Sequence, residues 1–284
     1  MNETLETPVV ADIPAEPSYW KETRQPIYSA AVVLPFLIAY EVGLLLLRSD
    51  EINGGDAILL NLGGPIVRWL GLGAGSASML ALGAFFIGAQ VHRKGSWNLK
   101  PQLLASIFFE SLVYAVILFM LLGYIVQYLP HSSSVNVPRP ELAEERVARK
   151  APPRRIADES AAPASKPRTG NRPTLREFVL YCGAGVYEEL VFRVILLGLL
   201  SLVFNKLFHM ESAYAAVWSV VTGAIIFSGF HHIGGEPFFI GIFLQRVFAG
   251  LYFAAIYYNR SFGVAAASHA MYDILIGLNQ WTRG

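Results

Sequence analysis

Residues 178–200 read FVLYCGAGVYEELVFRVILLGLL, an apolar run with two adjacent carboxylates and an arginine near its centre. An apolar run of this length is typical of a helix that crosses a membrane. Charged side chains at that depth cost about 3 kcal/mol each and are usually paired or placed at a wet cavity. Glu188, Glu189 and Arg193 therefore indicate a functional site, whose partners must come from other parts of the chain.

The composition of the whole chain is that of a membrane protein. Of its 284 residues, 54% are hydrophobic and only 15% are charged, whereas a typical soluble domain is about 25% charged. The formal net charge of +1 gives no argument for nucleic acid as a partner. The single cysteine, Cys182, cannot form an internal disulfide and excludes a cysteine-rich zinc cage. We expect an all-α fold, a polytopic helical bundle in the membrane.

Apolar segments and polar interruptions divide the chain into four predicted regions. Residues 1–26 form a polar tail, and residues 130–173, rich in Pro, Arg and Ser, predict a disordered linker. The N-terminal membrane region, 27–129, holds an interfacial or re-entrant piece at 57–70 and three predicted spans: 27–47, 70–91 and 101–129. The C-terminal region, 174–281, holds four more: 174–204, 212–231, 237–258 and 261–281. The sequence thus predicts about seven transmembrane helices, with a four-helix core at the C-terminal end.

Helical spacing separates the charges of the opening stretch. Residues four apart lie on one face of a helix, so Glu189 and Arg193 are placed to pair. Glu188 is offset by about 100° and has no partner within its own helix. One interpretation is a structural charge cluster that joins two helices. The other is that Glu188 is the carboxylate left free for proton transfer, as a general base or acid.

Two further spans carry polar residues of the same chemical kind. Phe227 is followed four residues later by His231, next to His232, and His269 and Asp273 share a helix face. Each cluster alone could be a capping residue or an interhelical hydrogen bond. Together, Glu, His and Asp on three of four spans are residue types that activate water. They could hold a water, or a zinc-bound water, beside a peptide carbonyl.

The ordered set resembles the CAAX protease and bacteriocin-processing (CPBP, or Abi) family of intramembrane proteases, which includes the type II CAAX prenyl endopeptidases. The resemblance covers roughly residues 174–281 and rests on three motifs: Glu-Glu-x-x-x-Arg at 188–193, Phe-x-x-x-His at 227–231 and His-x-x-x-Asp at 269–273. Each motif is weak alone, but their order is fairly specific. The first three predicted spans contribute nothing to it.

The resemblance implies a role for each matching residue. Glu188 matches the catalytic glutamate, and His231 matches the histidine that helps it to activate water. Supporting positions of the family's motifs fall on Glu189, Arg193 and Phe227. The last pair, His269 and Asp273, would bind the oxyanion or a metal ion. If a metal such as zinc were used, its possible ligands would be Glu188, His231, His269 and Asp273.

One position departs from the family pattern. The family often has Asn where this chain has Asp273. An ionised Asp cannot donate a hydrogen bond to an oxyanion, whereas it can ligate a metal ion or orient His269. The departure puts the oxyanion role of this position in doubt and mildly favours a metal.

These observations predict a hydrolase, an intramembrane endopeptidase that processes a membrane-associated protein or peptide in a CAAX-type or related reaction. Glutamate-dependent and metal-dependent mechanisms both stay open, and we expect a multi-pass protein of a bacterial plasma membrane. One alternative is a proton-coupled transporter, because buried Glu, His and Asp also form proton relays. Another is an inactive scaffold or immunity protein that keeps the fold. Outside the motifs, similar depth predicts that Glu110 pairs with Arg246, and Glu41 either snorkels or faces the bundle.

Overall fold

The computed structural model describes residues 19–47, 53–69, 77–128, 172–233 and 238–283, and all regular structure in these ranges is helical. The predicted linker 130–173, except its last two residues, and the first eighteen residues of the predicted tail lie outside the described residues. The division of the chain into regions stays a prediction.

The N-terminal half contributes five helices, which begin and end as follows: α1 (Tyr19–Glu22), α2 (Pro26–Leu47), α3 (Gly54–Trp69), α4 (Ala77–Arg93) and α5 (Pro101–Ile125), with a 3-10 turn at Val126–Tyr128. In the C-terminal half, α6 (Leu175–Glu189) passes without a break into a π-helical segment (Leu190–Leu196) and continues as α7 (Leu197–Lys206). The last helices are α8 (Ser212–Ile233), α9 (Ile240–Asn259) and α10 (Phe262–Arg283).

Four helices of the described chain are long and apolar enough to cross a membrane, namely Pro26–Leu47, Pro101–Tyr128, Ser212–His232 and Ile240–Asn259. The prediction of an all-α polytopic bundle is confirmed. The count of seven spans stays a prediction, because the helices at the other three predicted spans were not found to meet that standard. The interfacial piece predicted at 57–70 lies almost entirely within α3, which at 16 residues is shorter than the roughly 20 residues of a spanning helix.

The last helix, α10, is the centre of the bundle. Every residue from Phe262 to Met271 is buried, and five of them are alanines or glycines that let neighbouring backbones come close. At Gly185 of α6, an added Cβ would overlap the backbone of Ala270. This close approach brings the two helices that carry the first and last motifs into direct contact.

The first turn of α3 packs on the opening motif. A Cβ added to Gly55 would lie 2.5 Å from the Glu188 backbone nitrogen, so only glycine fits there without a shift. Asn53 caps the helix by accepting a hydrogen bond from the Asp56 backbone N–H at 2.9 Å. The buried Asp56 carboxylate accepts hydrogen bonds from Tyr40 of α2, at 2.8 Å, and from Ser78 of α4. These contacts hold α3 between the N-terminal helices and the C-terminal core.

The prediction that Glu110 pairs with Arg246 was wrong. The Glu110 carboxylate accepts two hydrogen bonds from Arg260, just after α9, and a third from Tyr19 at 2.7 Å. Burial and the bond to Glu110 raise the pKa of Tyr19 to about 12, so its hydroxyl stays a donor. Arg246 lies near the start of α9 instead. The N-terminal half is tied to the C-terminal core as expected, but through an arginine at the opposite end of α9.

We expect Glu110→Ala and Arg260→Ala each to lower the free energy of unfolding by about 3 kcal/mol, because each leaves a largely buried charge without its partner. The double variant should lose less than the sum, with a coupling energy of at least about 1 kcal/mol. Thermal and denaturant unfolding of the purified protein in detergent would measure both. As a control, the effects of Glu110→Ala and Arg246→Ala on the free energy of unfolding should be additive in their double variant. Coupling between Glu110 and Arg246, with none between Glu110 and Arg260, would contradict the pairing of Glu110 with Arg260.

Candidate active site

A fully buried carboxylate, Glu189, joins two of the three motifs. Its Oε2 atom lies 3.1 Å from Nε of Arg193, one helical turn ahead, which confirms the predicted pair. The guanidinium N–H groups are not aligned on this oxygen, so the contact is an ion pair rather than a hydrogen bond. The other oxygen, Oε1, lies 2.9 Å from Nδ1 of His269 on α10. Glu189 therefore bridges a cation on its own helix and an imidazole on another.

The imidazole of His269 is fixed on several sides. Its ring stacks on Phe253 of α9, with centroids 4.4 Å apart and planes 19° apart. With Nδ1 on Glu189, the free ring nitrogen Nε2 lies 3.6 Å from Oδ2 of Asp273. Carboxylates only accept hydrogen bonds when ionised, so this placement favours an imidazole with protons on both nitrogens.

The free carboxylate of the opening motif faces His231. Oε2 of Glu188 lies 3.9 Å from Nε2 of His231, at ion-pair rather than hydrogen-bond distance. The other ring nitrogen, Nδ1, lies 2.9 Å from the carbonyl oxygen of Phe227. A carbonyl can only accept, so the proton is assigned to Nδ1 and the neutral ring directs its Nε2 lone pair towards Glu188.

Phe227 connects these groups. Its buried ring contacts His231 and His269, with centroids 4.9 and 6.2 Å away, and the Arg193 guanidinium lies over its face at 4.8 Å. A cation over an aromatic face is stabilised by the ring quadrupole. The side chain thus packs against residues of all three motifs, while its backbone carbonyl orients His231.

The site is reached from one side. The side chains of His231 and Asp273 are 23% and 22% exposed, whereas those of Glu188 and His269 are 9% and 6% exposed. Gly54 and Phe230 close another side, since a Cβ on Gly54 would lie 3.1 Å from the Phe230 ring and 4.0 Å from Oε1 of Glu188. Among these four side chains, those of His231 and Asp273 are therefore the more accessible, and those of Glu188 and His269 are the more buried.

The possible metal site on Glu188, His231, His269 and Asp273 is not supported by the geometry of the described residues. In the part of the chain that the structure describes, no three His, Cys, Asp or Glu side chains are grouped so that they could hold one. His269 uses Nδ1 on Glu189 and keeps Nε2 beside Asp273, while His231 offers Nε2 to Glu188 alone. The arrangement is two separate pairs rather than one ligand set.

Several residues near the site were missed in the sequence or left without a role. The Tyr187 hydroxyl donates to Glu41 of α2 at 2.8 Å, so Glu41 faces the bundle, the second of its two expected placements. The sequence signal for this contact was a carboxylate, Glu41, within an otherwise apolar helix. Gly54, Gly55 and Phe253 gave none, because a glycine or a phenylalanine in an apolar region is ordinary until its neighbours are known.

The C-terminal part of the chain matches a known protein family. Residues 171–275 match the family described as Type II CAAX prenyl endopeptidase Rce1-like. The matched segment contains all three motifs, from Glu188 to Asp273. No curated protein and no solved structure matches the chain. The C-terminal part of this membrane protein is therefore related to the CPBP family of intramembrane proteases, to which the type II CAAX prenyl endopeptidases belong.

Proposed function

We propose that the protein is an intramembrane endopeptidase in which Glu188 and His231 activate a water molecule. The observation that supports this most is the 3.9 Å separation between Oε2 of Glu188 and Nε2 of His231. Both atoms are acceptors when the carboxylate is ionised and the ring is neutral. A water oxygen about 2.8 Å from each can donate one hydrogen bond to each of them.

The hydrolysis then proceeds with the chain's own residues. Glu188 removes a proton from the water as its oxygen attacks the peptide carbonyl carbon, and His231 holds the water in line. The tetrahedral intermediate collapses when Glu188 returns that proton to the leaving nitrogen. The carbon–nitrogen bond breaks, and one water has become part of a new carboxyl and a new amine. No covalent intermediate and no metal is required.

The oxyanion of the intermediate is stabilised by His269. Its Nε2–H lies beside the partly exposed Asp273, and the Glu189 carboxylate stabilises the positive charge of its ring. Asp273 cannot itself donate when ionised, so it acts as the orienting partner of His269. Glu189 and Arg193 are positioning residues, since they reach the substrate only through His269 and Phe227.

The substrate is a membrane-associated protein or peptide, processed in a CAAX-type or related reaction. The family match supports this class, and the partly exposed side at His231 and Asp273 supplies the entry. We place the protein in a bacterial plasma membrane as a multi-pass protein; the four apolar helices and this match support the coarser statement that it is a membrane protein.

We expect Glu188→Gln to lower kcat for cleavage of a membrane-anchored peptide by about 10²- to 10⁴-fold, because an amide cannot take the proton. Product formation would be followed by mass spectrometry with purified protein in lipid nanodiscs. The control is Glu211→Gln, an exposed glutamate just before α8, which should cleave like the wild type. Cleavage that survives Glu188→Gln would refute the assignment.

The two adjacent histidines should differ. His231→Ala should lose at least tenfold in kcat/KM, because it removes the nitrogen that faces Glu188. His232→Ala should stay within about threefold, since the His232 ring packs on Phe238 and Phe243, with centroids 5.1 and 6.0 Å away, and belongs to neither pair. The same cleavage assay on both variants measures this. Equal losses would indicate that the end of α8 matters only as a structural element.

A zinc chelator should leave cleavage unchanged after prolonged incubation and removal of the chelator–metal complex. The reason is that the site side chains form two pairs rather than a metal-ligand set. Metal content of the same preparations would be measured alongside the rate. A loss of activity that zinc alone restores would contradict this prediction.

A further inference from the structure

A second cavity lies outside the candidate active site and shares none of its residues. Its volume is about 350 Å³, within the range of small-molecule sites. It is enclosed by the start of α2, the end of α4 and the junction between α9 and α10. Three of its lining residues are arginines from three different segments: Arg24, Arg93 and Arg260.

The charge of this cavity is of one sign. No aspartate or glutamate is among its lining residues, all of which belong to the described chain. Local hydrogen bonds hold two of the cations near each other, because Nη1 of Arg93 donates to the Arg24 carbonyl at 3.3 Å and Arg24 donates to the Asn259 carbonyl. Like charges held at one cavity are stabilised by an anion between them.

The third arginine, Arg260, has one nitrogen without a hydrogen-bond partner among the described residues. Arg260 is 5% exposed, and its Nε and Nη2 atoms are used on Glu110 and Thr23. Its Nη1 is buried and has no hydrogen-bond partner among the residues that the structure describes. A buried charged donor without an acceptor is unfavourable, and an anion in the cavity that Arg260 lines would supply the acceptor.

The remaining wall of the cavity is aromatic. Phe85, Phe86 and Phe262 contact one another with ring centroids 5.3 to 5.6 Å apart, and all three line the cavity. They lie where α4 ends and α10 begins, which is where apolar segments give way to charged residues such as Arg93 and Lys94. A ligand there meets cations on one side and apolar rings on the other.

We propose that this cavity binds the phosphate group of an anionic phospholipid, with the three arginines as donors and the aromatic rings beside its glycerol and upper acyl chain. Basic pockets between membrane helices bind such headgroups, and arginine suits phosphate because its planar fork donates two parallel hydrogen bonds. The site is independent of the proposed protease activity. Free phosphate shares the recognised chemistry and is the other possible source of the anion.

Lipid retention would be measured by native mass spectrometry of the full-length protein in detergent, titrated in separate arms with short-chain phosphatidylglycerol, short-chain phosphatidylcholine and inorganic phosphate. The wild type should bind phosphatidylglycerol at least tenfold more tightly than phosphatidylcholine. Arg24→Ala/Arg93→Ala should weaken this binding at least tenfold, because both arginines are exposed donors of the cavity. The matched control, Lys21→Ala/Lys206→Ala, removes two exposed cations that do not line the cavity and should bind like the wild type.

A third variant, Ala89→Phe, adds bulk to a lining residue and keeps every charge, and it should also weaken phosphatidylglycerol binding. Unfolding temperatures of all variants would separate lost binding from lost folding. Equal losses in the cavity and control double variants, or no preference for phosphatidylglycerol in the wild type, would overturn the proposal. Binding of inorganic phosphate that depends on Arg24 and Arg93 without such a preference would also overturn it, and would assign the site to a soluble anion.

Discussion

The Glu189 carboxylate is held between Arg193 and His269 inside the bundle, and the candidate site is built around that bridge. A charge buried to this extent is tolerated only when its partners are close, and removing one partner of such a pair typically costs several kcal/mol. Glu189 spans two helices, so the same contacts that stabilise it also fix α10 against α6. This leaves Glu188, the adjacent residue, turned away from the bridge and towards α8. Its availability for chemistry thus depends on the pairing of its neighbour.

The N-terminal helices reach the site although they carry none of its motifs. Gly55 of α3 lies directly on the Glu188 backbone, and Glu41 of α2 accepts a hydrogen bond from Tyr187. Asp56 ties α3 to α2 and α4, so the approach of Gly55 is set by contacts across the whole N-terminal half. The family match begins at residue 171, so these supporting residues lie outside the matched segment.

The helical segments could be predicted from local spacing in the sequence. The same spacing predicted that Glu189 is paired and that Glu188 has no partner within its own helix. An i, i+4 pair such as Glu189 and Arg193 is a property of one helix. The partner of Glu110 could not be predicted in this way. Similar depth in the membrane does not bring Arg246 of α9 close to Glu110, whereas Arg260, just after that helix, binds its carboxylate. The choice between a metal and a proton-transfer site was equally out of reach. It depends on whether side chains from three helices meet closely enough to form one ligand set, and spacing within a helix carries no information on that.

The central claim is that Glu188 and His231 act on the same water. Residues that act as one unit have strongly non-additive effects on rate. The most direct measurement is kcat/KM for cleavage of a membrane-anchored peptide by Glu188→Gln, His231→Ala and the double variant, all in the same nanodiscs. This account predicts that the double variant is no more than about threefold slower than the slower single variant. A double variant whose losses multiply would show that the two side chains act in separate steps, and would contradict it.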